Sequence, residues 1–299
     1  MPSPQTGIFA LGTASHAWLE FDLAPGADGG ALVGRVASLR EPRTTIGGVN
    51  LVAGFRPELW AAVAPAAAAP EVHGFAEPMR GPSGVELSAT QHDAVIWITG
   101  AAYDVVFDLS RGVVGALAGV GRLAHELVGW PYHRDLDLTG FMDGTENPSL
   151  IEATEVALVP DGSPGAGGSV LLLQEWEHDA EAWESLPIPA QEDVIGRTKH
   201  DSVELDPRPP FSHVARTDQD QFGKIFRRNV GYGTVRRHGT IFVGFCAEQR
   251  RLEAMLESMA GIGGGPADGL TQYARAVTGA YYFVPSADAL AATPDPSAA

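Results

Sequence analysis

Cysteine is almost absent from the 299-residue sequence, which contains a single one, Cys246. One thiol cannot form an intrachain disulfide, and it excludes zinc and iron–sulfur sites built from several cysteines. The Cys-x-x-Cys-His motif that attaches c-type haem is also missing, so any haem must bind without a covalent link to the chain.

Positive charge is scarce as well, since lysine occurs only at Lys199 and Lys224. The 20 basic and 37 acidic residues give a formal net charge of −17. A field of this sign repels nucleic acids and anionic membranes, and we expect neither as a partner. Against this background stands a group of four arginines at Arg227, Arg228, Arg236 and Arg237.

Long apolar runs and several catalytic motifs are missing too. No stretch approaches the roughly eighteen apolar residues of a membrane helix, and the N-terminus carries no twin arginine or basic region before an apolar core. We therefore expect a cytoplasmic protein. The phosphate-binding Gly-x-x-x-x-Gly-Lys loop and the Gly-x-Ser-x-Gly motif are absent, and Gly129 stands where a zinc-protease helix needs its second histidine.

Strands and one long helix are predicted in the first half of the chain. Alternating apolar residues at 17–23 and an apolar run at 94–99 indicate strands. Apolar residues at helical spacing from Val113 to Val128 predict a helix with Ser110 as N-cap and Gly129 as its stop.

The second half repeats this order. The predicted strands cover 169–173, 240–246 and 280–284, and the predicted helices lie near 178–184 and 252–259. Strands interleaved with amphipathic helices predict an α+β fold of two domains, each an antiparallel sheet covered by helices on one face. We place an N-terminal domain at 1–138, a C-terminal domain at 139–287, and a flexible tail rich in alanine and proline at 288–299.

Three short segments contain polar side chains of the kind that active sites use. The first is a glycine-flanked turn that would aim Asp143 in one direction. The second surrounds the isolated His213, and the third holds Arg227 and Asn229. Taken singly, each segment also has a structural interpretation: the first fits a surface turn, the second a packed histidine, and the third a basic edge strand.

Taken together and in this order, the segments resemble the dye-decolourising peroxidase family, particularly its compact bacterial B-type members. The matching blocks are Gly140–Pro148, Ile195–Lys199, Asp201–Glu204, Ser212–Val214, Ile225–Gly233, Ala276–Ala280 and Phe283–Pro285. They span much of the second half, whereas the first half matches mainly in its order of strands and helices. The resemblance implies two ferredoxin-like domains, with haem between the sheet and helices mainly of the C-terminal domain.

The same resemblance implies a haem peroxidase with one non-covalent haem b per chain. Such an enzyme reduces hydrogen peroxide through an oxoferryl intermediate and oxidises dyes, phenolics or other small reducing substrates. His213 would hold the iron and Asp268 would accept its outer N–H. Asp143, Arg227 and Asn229 would handle peroxide on the opposite face, by moving its proton and stabilising the leaving oxygen.

Other roles follow from the resemblance for residues around the haem edge and farther away. Arg197 matches a position near a haem propionate, with Glu146 and Glu204 as polar neighbours. Electron transfer from bulky dyes could use four aromatic residues, for which a packing role is also open: Trp176, Trp183, Tyr132 and Tyr232. We expect a homo-oligomer by family similarity, and the tail at 288–299 shows no apolar peptide for docking into a protein nanocompartment.

Two other functions stay open at this point. The same fold could bind haem or release its iron with little peroxidase turnover. Alternatively, a haem-free module could bind an anionic ligand through the arginine group, with His213 incidental.

Overall fold

Eleven strands and ten α-helices form the part of the chain that the computed structural model describes, residues 2–40 and 48–293. The strands are β1 (Ser15–Leu23), β2 (Val49–Phe55), β3 (Met79–Arg80), β4 (Glu86–Leu87), β5 (Ala94–Gly100), β6 (Gly121–Trp130), β7 (Ser169–His178), β8 (Phe226–Gly233), β9 (His238–Cys246), β10 (Ala274–Ala276) and β11 (Ala280–Val284). The helices are α1 (Gly29–Ala37), α2 (Pro57–Val63), α3 (Tyr103–Ala116), α4 (Leu150–Ala157), α5 (Ala180–Glu184), α6 (Ile188–Ile195), α7 (His213–Arg216), α8 (Gln219–Phe222), α9 (Gln249–Ala260) and α10 (Ala287–Ala291). Short 3₁₀ turns occur at Thr6–Phe9, Pro65–Ala67 and Gly269–Gln272.

Nine of these strands form one antiparallel sheet that closes on itself. Their order is β10-β7-β11-β2-β5-β1-β6-β8-β9, and β9 pairs back with β7. The two halves of the chain meet at short ladders, Phe283 opposite Phe55 on one side and Gly129 opposite Tyr232 on the other. Ladders within each half are longer, so the ring consists of two half-sheets joined at their edges.

The two half-sheets have the same internal order. Read from the last strand of each half, the first is β6-β1-β5-β2 and the second is β11-β7-β9-β8. In both, the first and third strands along the chain lie in the centre, and helices follow the first and third strands. The predicted α+β class with antiparallel sheets and flanking helices is therefore confirmed.

Side chains alternate between the two faces of each strand, which gives the sheet an inner and an outer core. In the interior, the fully buried rings of Trp18 and Trp97 stack with centroids 5.8 Å apart. The guanidinium of Arg228 lies 5.2 Å from the centroid of Trp97. On the outer face of the second half-sheet, α9 buries a stripe at helical spacing, formed by Leu252, Met255, Leu256 and Met259.

The long helix predicted after Ser110 is wrong in its position and length. Ser110 lies inside α3, where its hydroxyl donates to the Val106 carbonyl at 2.7 Å. The chain turns at Gly119, which has a φ of +86°, and continues as β6. Pairing with β1 makes this segment a strand, because tertiary contacts override a local helical spacing.

The predicted flexible tail begins too early. Residues 287–291 form α10, which Ser286 caps by accepting the Ala289 N–H at 3.1 Å. Asp288 in this helix accepts the backbone N–H of Ser3 at 2.7 Å. Residues 294–299, and with them the end of the predicted tail, lie outside the described residues.

None of the helices in residues 2–40 and 48–293 combines the length and the apolar composition that crossing a bilayer requires.

Candidate functional site

A cavity of about 350 Å³ lies between the second half-sheet and helices α7 and α9. Side chains of β7, β8 and β9 line one side, and α7 and α9 line the other. Seven of the eight residues singled out in the sequence line this cavity: Asp143, Glu146, Arg197, Glu204, His213, Arg227 and Asn229. The eighth, Asp268, is in contact with His213.

His213 is held in place by two neighbouring contacts. It begins α7, and the buried Ser212 caps this helix by accepting the Ala215 N–H at 3.3 Å. Its Nδ1 lies 2.7 Å from Oδ2 of Asp268, whose other oxygen accepts the Leu270 N–H at 2.9 Å. With Nδ1 engaged by a carboxylate, Nε2 is the nitrogen that can bind a metal ion.

Asp143 is attached to β8 across the cavity wall. Its carboxylate accepts the backbone N–H of Asn229 at 3.2 Å and the side-chain amide of Asn229 at 3.3 Å. The nearest guanidinium nitrogen of Arg227 lies 3.8 Å away. Asn147 fixes the same loop to the strand, since its side chain donates to the Arg227 carbonyl at 2.8 Å and accepts its N–H at 2.9 Å. A carboxylate, an amide and a guanidinium are thus held in one fixed group.

Arg197 forms ion pairs with two acidic side chains at another part of the cavity wall. It follows Gly196, which ends α6 with a φ of +93°. Its guanidinium donates to Glu146, to Glu204 at 2.6 Å and to the Ser202 carbonyl at 2.8 Å. Both glutamates are nearly half exposed, at 44% and 45%, whereas the arginine side chain is 11% exposed. The cation therefore lies on the buried side of the group.

Several polar atoms in the cavity wall have no hydrogen-bond partner. Among the described residues, the buried Nε atoms of Arg197 and Arg227 and the Nε2 of Gln174 are in this state. Burying a donor without a partner is unfavourable. These three donors therefore indicate a site for a polar or anionic ligand.

Sequence reasoning missed two cavity residues on β7, Gln174 and His178. The strand was expected to end at 173, but it continues to His178, and alternate residues from Leu172 onward point to the cavity. His178 Nε2 lies 3.2 Å from the hydroxyl of Thr240, and burial lowers the pKa of this imidazole to about 4. The period-2 pattern beyond residue 173 was the available signal.

Asp137 is a third cavity residue that sequence reasoning missed. Its carboxylate accepts the N–H of Thr139 at 2.6 Å and also the hydroxyl of the same residue. Burial raises the pKa of the Asp137 carboxyl, and the nearby charge of Asp143 acts in the same direction. The turn before Gly140 therefore adds a further carboxyl group to the cavity, beside that of Asp143.

The four aromatic residues considered for electron transfer occupy different places. Trp176 lines the cavity, and Trp183 is buried with its indole N–H donating to the Thr139 carbonyl at 3.0 Å. Tyr132 lines a smaller cavity together with Trp183. Tyr232 belongs to the buried interior of the ring.

In residues 2–40 and 48–293, no group of three or more His, Cys, Asp or Glu side chains is placed to hold a bare metal ion. A haem iron needs only one such ligand from the protein, because the porphyrin supplies the others.

Comparison with known proteins gives consistent matches. The family model described as Dyp-type peroxidase, C-terminal, matches residues 134–289. A dye-decolorizing peroxidase of Rhodococcus erythropolis is 35% identical over 270 residues, which is 85% of this chain and 76% of that protein. A dye-decolorizing peroxidase of Mycolicibacterium paratuberculosis is 34% identical, over 86% of this chain and 74% of its own.

Solved structures agree over nearly the whole chain. A dye-decolorizing peroxidase of Bacteroides thetaiotaomicron superposes with a TM-score of 0.88 at 27% identity, covering 97% of this chain and 98% of its own. A variant of Rhodococcus jostii DypB, solved in complex with haem, gives a TM-score of 0.87 at 32% identity, covering 97% and 99%. On the strength of these matches, the chain belongs to the Dyp-type peroxidase family.

Proposed function

We propose that this chain is a haem-dependent peroxidase in which His213 binds the iron and Asp143, Arg227 and Asn229 act on peroxide across the haem. The carrying observation is that one cavity brings together a carboxylate-bound imidazole and a fixed acid–guanidinium pair. Peroxide and a small reductant are its substrates.

The residues of the cavity fit one non-covalent haem b. A volume of about 350 Å³ is within the range of cofactor sites, roughly 300–1,000 Å³. An imidazole with its Nδ1 bound to a carboxylate would hold the haem iron through its Nε2. The unpartnered Nε atoms of Arg197 and Arg227 provide donors for anionic groups.

Haem, when bound, supplies an iron that takes up peroxide and accepts its oxidising equivalents. The carboxylate of Asp143 would take a proton from one peroxide oxygen and return it to the other, directly or through a water molecule. The guanidinium of Arg227 stabilises the negative charge that develops on the leaving oxygen. Asn229 orients both, because its amide and its backbone N–H hold the Asp143 carboxylate.

Arg197 is proposed to bind a haem propionate. Its guanidinium is mostly buried at the cavity wall, while its partners Glu146 and Glu204 are nearly half exposed. The two glutamates therefore flank the haem edge and hold the arginine in place.

The shared strand order supports the finer description of the fold. We propose that each half-sheet with its helices is a ferredoxin-like domain, with limits at 1–138 and 139–287. Haem would lie between the second half-sheet and helices α7 and α9, where the cavity is. A cytoplasmic location, a homo-oligomer and the absence of a nanocompartment docking peptide stay predictions.

An absorption spectrum tests the proposal. The purified protein should show a strong Soret band that is lost in His213→Ala, and a stoichiometric addition of peroxide should change it within seconds. The change should slow in Asp143→Ala and Arg227→Ala. Haem binding without any reaction with peroxide would instead favour the haem-handling function, and a colourless protein would favour the haem-free module.

A further inference from the structure

Arg228 carries a positive charge into the interior of the closed sheet. It follows Arg227 on β8, and consecutive strand residues point to opposite faces, so Arg227 lines the cavity while Arg228 lies on the inner side. Its guanidinium donates to the carbonyl of Ala10 and, at 2.7 Å, to that of Ile8. Within the described part of the chain no carboxylate pairs with it, and burial lowers its pKa to about 10. The side chain therefore stays charged at neutral pH.

Two stacked tryptophans lie against this charge. The guanidinium carbon of Arg228 is 5.2 Å from the ring centroid of Trp97, which stacks on Trp18 at an interplanar angle of 7°. Both indoles are fully buried, and neither indole N–H has a hydrogen-bond partner among the described residues. His16 continues the stack 5.5 Å from Trp18 with its ring nearly parallel, so its nitrogens do not point at the indoles. The pair thus has a cation on one side and no proton acceptor at its N–H groups.

We propose that Arg228 keeps the oxidising equivalents of the haem in the cavity by making Trp97 and Trp18 hard to oxidise. This inference rests on the proposed function, because an oxidised haem is what would take electrons from the indoles. It gives Arg228 a role different from that of its neighbour Arg227, which faces the peroxide.

The indole pair is close enough to the cavity to need this protection. Trp97 packs on Phe245 of β9 with ring centroids 6.0 Å apart, while Phe242 of the same strand lines the cavity. One layer of sheet and the rings on it therefore separate the indoles from a haem in the cavity. Packed sheet layers lie about 10 Å apart, and electrons tunnel between redox centres in proteins over distances of this order. Without a barrier, the indoles would compete with the reducing substrate.

The charge of Arg228 opposes the charge that oxidation creates. Loss of an electron converts an indole into a radical cation, and the repulsion between two unit charges about 5 Å apart is large inside a protein. Transfer of the indole proton to a base would relieve that repulsion, but here neither N–H has an acceptor. His16 responds to the same field, since burial lowers its pKa to about 4 and the charge of Arg228 adds to the effect. The charge and the missing acceptor both make oxidation of the indoles unfavourable.

The step that Arg228 suppresses begins as a one-electron transfer. One electron leaves the Trp97 indole and reduces the oxidised haem by one equivalent, while the N–H proton stays on the ring. Loss of a second electron to the same haem and addition of water would leave a hydroxylated indole, with two protons released to solvent. Such damage consumes one peroxide without oxidising any reducing substrate.

Zinc protoporphyrin in place of haem tests the barrier without peroxide. A light flash with chloropentaamminecobalt(III), an electron acceptor that decomposes on reduction, oxidises the bound porphyrin, and transient absorption follows its re-reduction by the protein. Arg228→Gln keeps donors for the two carbonyls but loses the charge, so re-reduction should be faster by about tenfold or more. Arg228→Lys keeps the charge and should behave as the wild type does. The control Arg236→Gln removes an exposed arginine of the same group and should have no effect.

Further variants identify the electron donor. In the Arg228→Gln background, Trp97→Phe should return re-reduction to near the rate of the wild type. Haem-loaded Arg228→Gln given excess peroxide without a reductant should gain oxygen at Trp97 or Trp18 in peptide mass spectrometry, whereas Arg228→Lys should not. Apoprotein with the same peroxide is the blank, and circular dichroism checks that each variant is folded.

The outcomes separate this inference from the proposed function. Equal re-reduction rates in folded Arg228→Gln and wild type would overturn the role of Arg228 alone. An acceleration that survives both Trp97→Phe and Trp18→Phe would do the same. Failure of the haem-loaded wild type to react with peroxide would overturn the proposed function, and the zinc experiment would still report on Arg228.

Discussion

The Nδ1 of His213 lies 2.7 Å from Oδ2 of Asp268, a residue 55 positions away in sequence and only 1% exposed. The other carboxylate oxygen caps the turn Gly269–Gln272 through the Leu270 N–H. One side chain thus fixes both the tautomer of the histidine and the start of a turn. Outer partners of this kind make a ligating imidazole more basic.

Asp268→Asn should weaken the imidazole without removing the cap, because asparagine is also a good capping residue. We expect activity to fall by about 10- to 100-fold and the reduction potential of the haem iron to rise. Steady-state rates and a spectroelectrochemical titration measure the two effects. A variant with unchanged potential and rate would contradict the proposed role.

Arg227→Leu should slow the reaction with peroxide more than any change at the surface. The loss of one such group lowers the rate by about 100- to 1,000-fold. Asp143→Asn should have a smaller effect, because Arg227, whose guanidinium lies 3.8 Å from the Asp143 carboxylate, still stabilises the leaving oxygen. Stopped-flow mixing with peroxide gives both rates. Arg236→Leu is the control, because Arg236 is exposed, and an equal slowing there would argue against a specific role.

Arg197→Gln should weaken the retention of haem. The substitution leaves Glu146 and Glu204 without their shared cation next to an anionic propionate, so electrostatic repulsion replaces attraction. Transfer of haem to an excess of apomyoglobin should be faster than from the wild type. Arg250→Gln serves as the matched control, since the Arg250 side chain is 72% exposed. Equal transfer rates for wild type and Arg197→Gln would refute propionate binding.

His16 should make the fold sensitive to acid. Burial lowers its pKa from 6.5 to about 4, with the charge of Arg228 adding to the effect. On acidification, His16 takes up a proton at a higher pH in the unfolded chain than in the folded one. The contribution of its neutral form to the free energy of unfolding is therefore complete above pH 6.5 and is lost as pH falls towards 4. The shift corresponds to about 3 kcal/mol, at 1.36 kcal/mol per pKa unit.

Urea unfolding at pH 7.5 and pH 4.5 measures this contribution. The loss of unfolding free energy between the two values should be smaller in His16→Gln than in the wild type. It should be unchanged in His73→Gln, because the His73 side chain is 63% exposed. Identical pH dependence of wild type and His16→Gln would show that another group causes the acid sensitivity.

The predictable part of the site lies in short segments whose geometry is local. Glycines with positive φ at 140 and 144 flank Asp143, and such turns can be identified from residue type alone. Arg227 and Asn229 are two apart on a strand and therefore share a face. Together with the other matching blocks of the second half, and in the same order along the chain, these segments indicated the family, and the α+β class followed from alternating strand and helix patterns.

The sequence by itself determined the turn and the class of fold, because each depends on residues within a few positions of one another, and the family resemblance supplied the ligand candidate. The tertiary structure alone decided that 121–130 is a strand beside β1, that β7 reaches His178, and that α10 continues beyond residue 287. It also decided the smaller cavity at Tyr132 and Trp183, whose walls come from segments between Tyr132 and Ala274. The spacing of apolar residues indicates only which side of a helix or strand is buried. The element that packs against that side is determined by contacts between residues far apart in the chain.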